Sequence, residues 1–433
     1  MKTFNHEISP FYYNKKENTC IFSQTIVSYS KIKFGGFLMS TIKKIGIMTG
    51  GGDCCGLNAV VRAVVYTAIN KYGLECVGIK NCYRGLYLGE SQMIPLTIDS
   101  VDEIIGDGGT ILYNSNKDNL FKYPRRDKNG IVKGEDGKPI YDDVSHIAVE
   151  NIKKAGIDAL VIVGGDGTLT SGRDYSRMGV RVMGIPKTID NDLNSTDQTF
   201  GFDTAVNKNV EAVDALKTTG RSHHRVMVFE VMGRDAGHIA LHTGIASGAD
   251  AIILPEIPYD IVKIKDRVKK ALLSDKKYSI VVVAEGAPAP DGKAVTAITQ
   301  DFSPDGVKLG GIGKVIATTI ENMLNSDRDE NGYAISEDIL DVECRSSALS
   351  HVQRGGMTSA SDRVLCTRYG SAAVDLLMNG NEKHMVALKN NEMVAVPLEV
   401  VIPSDDIHGN FKPVDPDGEL VNLAKTVGIC FGD

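Results

Sequence analysis

From Ile42 onward, short runs of β-branched and other apolar residues alternate with stretches in which apolar residues return every three or four positions. The spacing predicts strands at IGIMT (45–49), ALVIVG (159–164), VRVMGI (180–185), RVMVFEV (225–231), AIILP (251–255) and YSIVVVAE (278–285). Several are apolar on both faces, as a sheet covered by helices on each side requires. Leu57, Val60, Val61, Val64, Val65, Ala68 and Ile69 recur at helical spacing, which places a helix against that sheet. The expected fold is α/β, with two Rossmann-like lobes whose mainly parallel sheets carry helices on both faces.

A length of 433 residues suits two or three lobes at about 100–200 residues each. The first lobe is expected over 42–200 and the second over 201–433, with the chain crossing between them. Residues 1–41 lack any sustained period and read as an extension outside the fold, either from an upstream start or as a mobile arm. The polar stretch PRRDKNGIVKGEDGKPIYDD (124–143) reads as a surface hairpin or loop insertion.

Composition narrows the function classes. With 42% hydrophobic and 24% charged residues the chain is neither disordered nor fibrous. A net charge of −7 supplies no global field for a nucleic-acid backbone. No apolar run approaches the roughly 18 residues that span a bilayer. The eight cysteines (20, 54, 55, 76, 82, 344, 366 and 430) form no CxxC pair, which fits reduced thiols in a cytoplasmic protein.

Three features stand at strand ends, where open α/β sheets bind ligands. TGGGDCCGLN (49–58) joins the first strand to the first helix; its glycines let backbone N–H groups approach a phosphate, although a tight turn would use the same residues. It has neither the GK[ST] ending of a P-loop nor the GxGxxG spacing. In GGDGT (164–168), glycines clear the backbone around Asp166, a carboxylate suited to Mg²⁺ between phosphates at a helix start. In PKTIDNDL (186–193), Thr188, Asp190 and Asp192 alternate with Ile189 and Asn191, so an extended backbone would turn all three to one side as a metal ligand set or a general base. Downstream, Arg225, Arg234, Arg345, His351 and Arg354 could clamp a phosphate dianion.

In this order and spacing GGGDxxGLN, GGDGT, PKTIDND, EVMGR and HVQRGG resemble the phosphofructokinase family, from about Lys43 to beyond Gly380. The resemblance implies phosphoryl transfer to the 1-hydroxyl of fructose 6-phosphate, in glycolysis, by a Mg²⁺-dependent enzyme of the mixed-substrate branch that uses ATP or pyrophosphate. It implies a donor-binding first lobe and a sugar-phosphate-binding second lobe. Gly52, Gly165, Asp166, Gly167 and Thr168 then match donor-phosphate positions, with Asp166 the magnesium residue. Asp190 matches the general base, with Lys187, Thr188 and Asp192 beside it. Met232, Gly233, Arg234, Glu285, His351 and Arg354 match sugar-phosphate contacts, Arg234 also counting among the catalytic residues. Arg225 and Arg345 match residues reaching in from a neighbouring subunit, which implies a homodimer or homotetramer.

Two positions depart from the family pattern. Cys55 stands where proline is usual, and Asn116, followed by Lys117, stands where many relatives carry an arginine bridging the two phosphates. On the donor, Gly167 leaves room for a nucleotide α-phosphate, whereas Lys187 suits pyrophosphate; sterics favour ATP. Two rival readings are a different kinase with a related GGDG loop, which leaves PKTIDND and HVQRGG unexplained, and a non-catalytic sugar-phosphate sensor on the same fold.

Overall fold

The computed structural model describes residues 42–433 except 116–117, 129, 300–306, 330, 335, 337–338, 340 and 405–410. The extension 1–41 and the candidate donor residues Asn116 and Lys117 lie outside the described residues. Two sheets organise the rest. The larger contains β1 (Lys44–Thr49), β2 (Glu75–Ile79), β3 (Met93–Leu96), β4 (Ala159–Gly164), β5 (Val182–Pro186) and two late strands, β10 (His384–Lys389) and β11 (Glu392–Pro397). Their spatial order is β11-β10-β5-β4-β1-β2-β3, parallel except for the two edge strands. The smaller sheet orders β6 (Val226–Val231), β7 (Ala251–Ile253), β8 (Ser279–Ala284) and β9 (Cys344–Ala348) as β7-β8-β6-β9, all parallel. The chain therefore returns to the first sheet after completing the second.

The doubly apolar strands are explained by what covers them. In β4, Val161 and Val163 enter one core while Leu160 and Ile162 enter another on the opposite face. In β6, Met227, Phe229 and Val231 join the same core as Val161, while Val226 and Val228 face a third. One apolar core is thus shared between the sheets, and both turn the carboxyl ends of their strands to loops that converge. Helix α1 (Leu57–Tyr72) buries the apolar stripe read from the sequence, and packs on a late helix, α7 (Ala360–Met378). Helices between them include α2 (Asp166–Arg177), α3 (Phe202–His223), α4 (His238–Ala246), α5 (Ile261–Leu272) and α6 (Ile312–Asn325). The stretch 124–143 carries two-residue strand pairs, 123–124 with 141–142 and 126–127 with 130–131.

Candidate active site

Each glycine or acidic motif follows a strand of the first sheet. After β1, Gly50 N–H donates to the Val163 carbonyl (2.9 Å), tying the glycine loop to β4. Gly51 lies at φ 76, and a Cβ there would stand 3.1 Å from the Lys187 Nζ. After β4, Asp166 opens α2, where the helix presents unpaired N–H groups to an anion. Thr168 is buried beneath both loops, its side chain occupying the space a Cβ on Gly50 or Gly164 would need. Part of the glycine requirement is therefore close packing of the two loops. After β5, Lys187 N–H donates to the Gly164 carbonyl (3.0 Å), so the third motif is fixed beside the second.

The acidic loop is not extended. Asn191 adopts φ 53 and the chain turns there, overturning the expectation that simple alternation would align Thr188, Asp190 and Asp192. Hydrogen bonding brings them together instead. The Thr188 hydroxyl accepts from Asp190 N–H (3.1 Å) and bonds the Asp192 carboxylate, while Thr199 Oγ1 donates to the Thr188 carbonyl (2.7 Å) and Thr199 N–H to Asn191 Oδ1 (2.9 Å). Ile189 points inward and is buried.

The second sheet delivers its groups in the same way. Met232, Gly233 and Arg234 follow β6 and Glu285 follows β8; Glu285 N–H donates to the Val231 carbonyl (2.9 Å), and Gly286 N–H to that of Gly233 (3.1 Å). His351 and Arg354 stand on a 3₁₀ turn, Ser350–Arg354, just after β9. Arg354 reaches back across the cleft to the glycine loop, donating to the Asp53 carbonyl (3.1 Å) beside Gly52.

Arg225 and Arg345 are not brought to this cluster. Both sit at the amino ends of β6 and β9, sharing Glu343 at 2.5 and 3.1 Å. Six strand residues at about 3.3 Å each put roughly 20 Å between that end and the site.

The electrostatics of the cluster are unusual. Asp166 and Asp190 each hold a buried Oδ1 with no hydrogen-bond partner. Burial, then the neighbouring Asp192, pushes the Asp166 carboxyl up to about 8. The same two causes, opposed by Arg354 and Lys187, raise Asp190 to about 7. Burial also raises Asp192 and Glu285, and depresses the Lys187 ammonium below its ordinary value. Cations and carboxylates thus share one poorly hydrated cleft, a condition that costs stability and marks functional sites.

Several positions escaped sequence reasoning. Gln353 is buried inside HVQRGG, where its Oε1 accepts from Asn209 Nδ2 (2.7 Å) and Met232 N–H (3.3 Å) while Nε2 donates to the Ser350 carbonyl (3.2 Å). It joins α3, the end of β6 and the His351 turn, a role visible only in space. Asp362, in the first turn of α7, accepts from Gly201 N–H, Thr204 N–H and Thr204 Oγ1 and so holds the start of α3. Cys55, the departure from proline, is buried with its Sγ 3.4 Å from the Gly355 carbonyl and 3.6 Å from the Lys208 Nζ. It thereby packs the glycine loop against the Arg354 turn.

A family model described as Phosphofructokinase matches residues 44–377, spanning every one of these positions. The chain belongs to the phosphofructokinase family. Among curated relatives, the ATP-dependent 6-phosphofructokinase 2 of Clostridium perfringens is 52% identical over 92% of this chain and 100% of its own length. The ATP-dependent 6-phosphofructokinase 1 of a Synechocystis species is 41% identical over 91% and 100%. The solved phosphofructokinase of Saccharomyces cerevisiae superposes with a TM-score of 0.67 at 27% identity, over 83% of this chain but 45% of that longer one. The α/β architecture expected from the hydrophobic pattern is the family's.

Proposed function

We propose that the chain is an ATP-dependent 6-phosphofructokinase, transferring the γ-phosphoryl group of ATP to the 1-hydroxyl of fructose 6-phosphate. The observation that carries the reading is Asp190: a carboxylate with a buried, unpartnered Oδ1, poised near neutrality, facing Lys187 and Arg354 where the two sheets' loops meet. A base must be near its working pH and free to accept a proton, and Asp190 is both. Its Oδ1 takes the proton of the 1-hydroxyl as that oxygen bonds to the γ-phosphorus. The bond from phosphorus to the β-phosphate oxygen breaks, and ADP leaves. Lys187, Arg354 and the N–H groups opening α2 stabilise the charge on the moving phosphoryl oxygens, which is most of what this chemistry demands.

Mg²⁺ fits the Asp166 site, because a buried unpartnered carboxylate oxygen beside further acidic groups favours a cation. Among the described residues no cluster of three ligating side chains exists, so Asp166 would hold the ion together with donor phosphate oxygens. When bound, it supplies charge neutralisation on those oxygens. Met232, Gly233, Arg234, Glu285, His351 and Arg354 form the sugar-phosphate side, and Gly52, Gly165, Asp166, Gly167 and Thr168 the donor side, so the first sheet, completed by the late strands β10 and β11, acts as the donor lobe and the second sheet as the acceptor lobe. Arg225 and Arg345, remote from their own chain's cleft, serve a neighbouring subunit's site in a homodimer or homotetramer. The free thiols among the described cysteines support a cytoplasmic setting.

Lys187 beside the base favours a second reading, pyrophosphate as donor. A coupled assay for fructose 1,6-bisphosphate, run in parallel with Mg-ATP and with pyrophosphate, decides between them. Turnover with pyrophosphate alone would overturn the ATP assignment, and turnover with neither would overturn the kinase itself.

A further inference from the structure

Residues 411–414 lie beyond the stretch that the family model matches and touch both sides of the cleft. Toward the first lobe, Phe411 bridges Leu193 in antiparallel fashion, and Lys412 N–H donates to the Asp192 carbonyl at 2.6 Å. Toward the second lobe, the Lys412 carbonyl accepts from His238 Nε2 at 3.0 Å, and Val414 N–H donates to Glu256 Oε1 at 2.8 Å. Glu256 Oε1 also accepts from Gly237 N–H at 2.8 Å, immediately before α4. Val414 is itself buried in the core shared by the two sheets.

We infer that this segment is a clasp, with Glu256 and His238 as positioning residues that hold the acidic loop, and through it Asp190, in register with the acceptor lobe. The inference rests on Asp190 being the base, as proposed above. The acidic loop turns at Asn191 and is pinned within its own lobe by the Thr188 and Thr199 bonds to 188, 190 and 191 and by the Thr188 hydroxyl on the Asp192 side chain, bonds that leave the backbone of 192 and 193 unheld. The clasp supplies bonds at 192 and 193, on the other side of that turn. His238 suits a fixed tie. Burial keeps the His238 imidazole neutral across the physiological range, so the bond to Lys412 does not switch with pH. Misplacing a reacting group by about 1 Å costs up to about a hundredfold in rate, so a tie that loosens the loop is read first in kcat.

The test compares Glu256→Ala, Glu256→Gln and His238→Phe with the wild-type chain. Glu256→Ala removes the acceptor, Glu256→Gln keeps it, and His238→Phe removes a donor while filling the ring's volume. Expected are roughly five- to twentyfold lower kcat in Glu256→Ala and His238→Phe with the KM for fructose 6-phosphate within about twofold, and recovery in Glu256→Gln. Hydrogen exchange of the amides of 189–193 should quicken in the two impaired variants and not in Glu256→Gln. Unchanged kcat and unchanged exchange in folded Glu256→Ala and His238→Phe would overturn the clasp, as would Glu256→Gln behaving like Glu256→Ala. If Glu256→Ala does not fold, His238→Phe carries both readouts. Should the wild-type chain turn over neither donor, the proposed function fails while the exchange measurement still judges the clasp.

Discussion

Replacing Asp190 by Asn should harm catalysis and help stability at once, and both effects follow from the same burial. The carboxyl is raised from its ordinary value near 3.8 to about 7 by burial first and then by Asp192. A raised acid binds its proton more tightly folded than unfolded, so wild-type stability falls as pH climbs from the unfolded value toward the folded one. At about 1.4 kcal/mol per unit, three units give an upper bound of roughly 4 kcal/mol, and relaxation with water entry reduces this to about 1–3 kcal/mol. Asn carries no such penalty. Thermal denaturation of the ligand-free proteins should therefore show Asp190→Asn more stable than wild type at pH 7.5, with the gap narrowing as pH falls below about 7 and closing only below about 3.8, where the folded and unfolded wild-type carboxyls are both protonated. Turnover should drop by roughly 10²–10⁴ while fructose 6-phosphate binding persists. In the wild type, kcat/KM should decline as pH falls below about 7, following protonation of the base. A variant with near-normal kcat, or a Tm difference equal at pH 5 and 7.5, would refute the reasoning.

Gly167 is exposed at the first turn of α2, and Gly167→Asp should suppress turnover with ATP more than any turnover with pyrophosphate, as read by parallel donor assays. A methyl group on Gly52 would stand 2.9 Å from Arg354 Nη1, the far end of a side chain that donates to the Asp53 carbonyl. Gly52→Ala should therefore leave Tm nearly unchanged but raise the KM for fructose 6-phosphate by about tenfold, the worth of one weakened charged hydrogen bond of about 1.5 kcal/mol. Sedimentation should find a dimer or tetramer, and Arg345→Ala should weaken sugar-phosphate binding; full activity in a monomer would contradict the subunit-bridging role.

How far the sequence disclosed this molecule depended on whether a residue's neighbours are close in the chain. The apolar run at 159–164 is buried on both faces and coincides with β4, and the three glycine and acidic motifs stand at strand ends as read. β9 went unread because CRSSA is polar and mostly exposed, held by its ladder to β6 and by no apolar pattern of its own. β10 and β11 carried a usable signal: they flank Asn390 and Asn391, at φ 49 and 65, the two positive angles of a type I′ hairpin turn. Within the site, Asp190 was legible from its motif, but the turn at Asn191, the reach of Arg354 to Asp53 and the linking role of Gln353 are products of tertiary packing. No local period encodes them.

Four aspartates separate the groups that hold this fold from those that serve its chemistry. Asp362 and Asp250 are the more deeply buried, yet each is saturated. Asp362 receives three donors at the start of α3; Asp250 receives Arg267 (2.9 Å), Lys276 (2.6 Å), Ser279 Oγ (2.9 Å) and Ile280 N–H (3.0 Å). Their hydrogen bonds oppose desolvation, as a structural carboxylate requires, although burial still raises the Asp362 carboxyl. Asp166 and Asp190 stand in a cleft, each with one oxygen, Oδ1, buried and given no donor by the chain. Saturating Asp190 would have been simple, since Lys187 and Thr188 lie just before it in the sequence. The fold instead turns the Thr188 hydroxyl toward the Asp190 amide and the Asp192 carboxylate, and leaves one oxygen on each of the two aspartates open. Unmet bonding capacity at the meeting point of two sets of strand ends is what a cation and an attacking hydroxyl would fill, and that, more than the acidity of the loop, supports the roles proposed for the two residues.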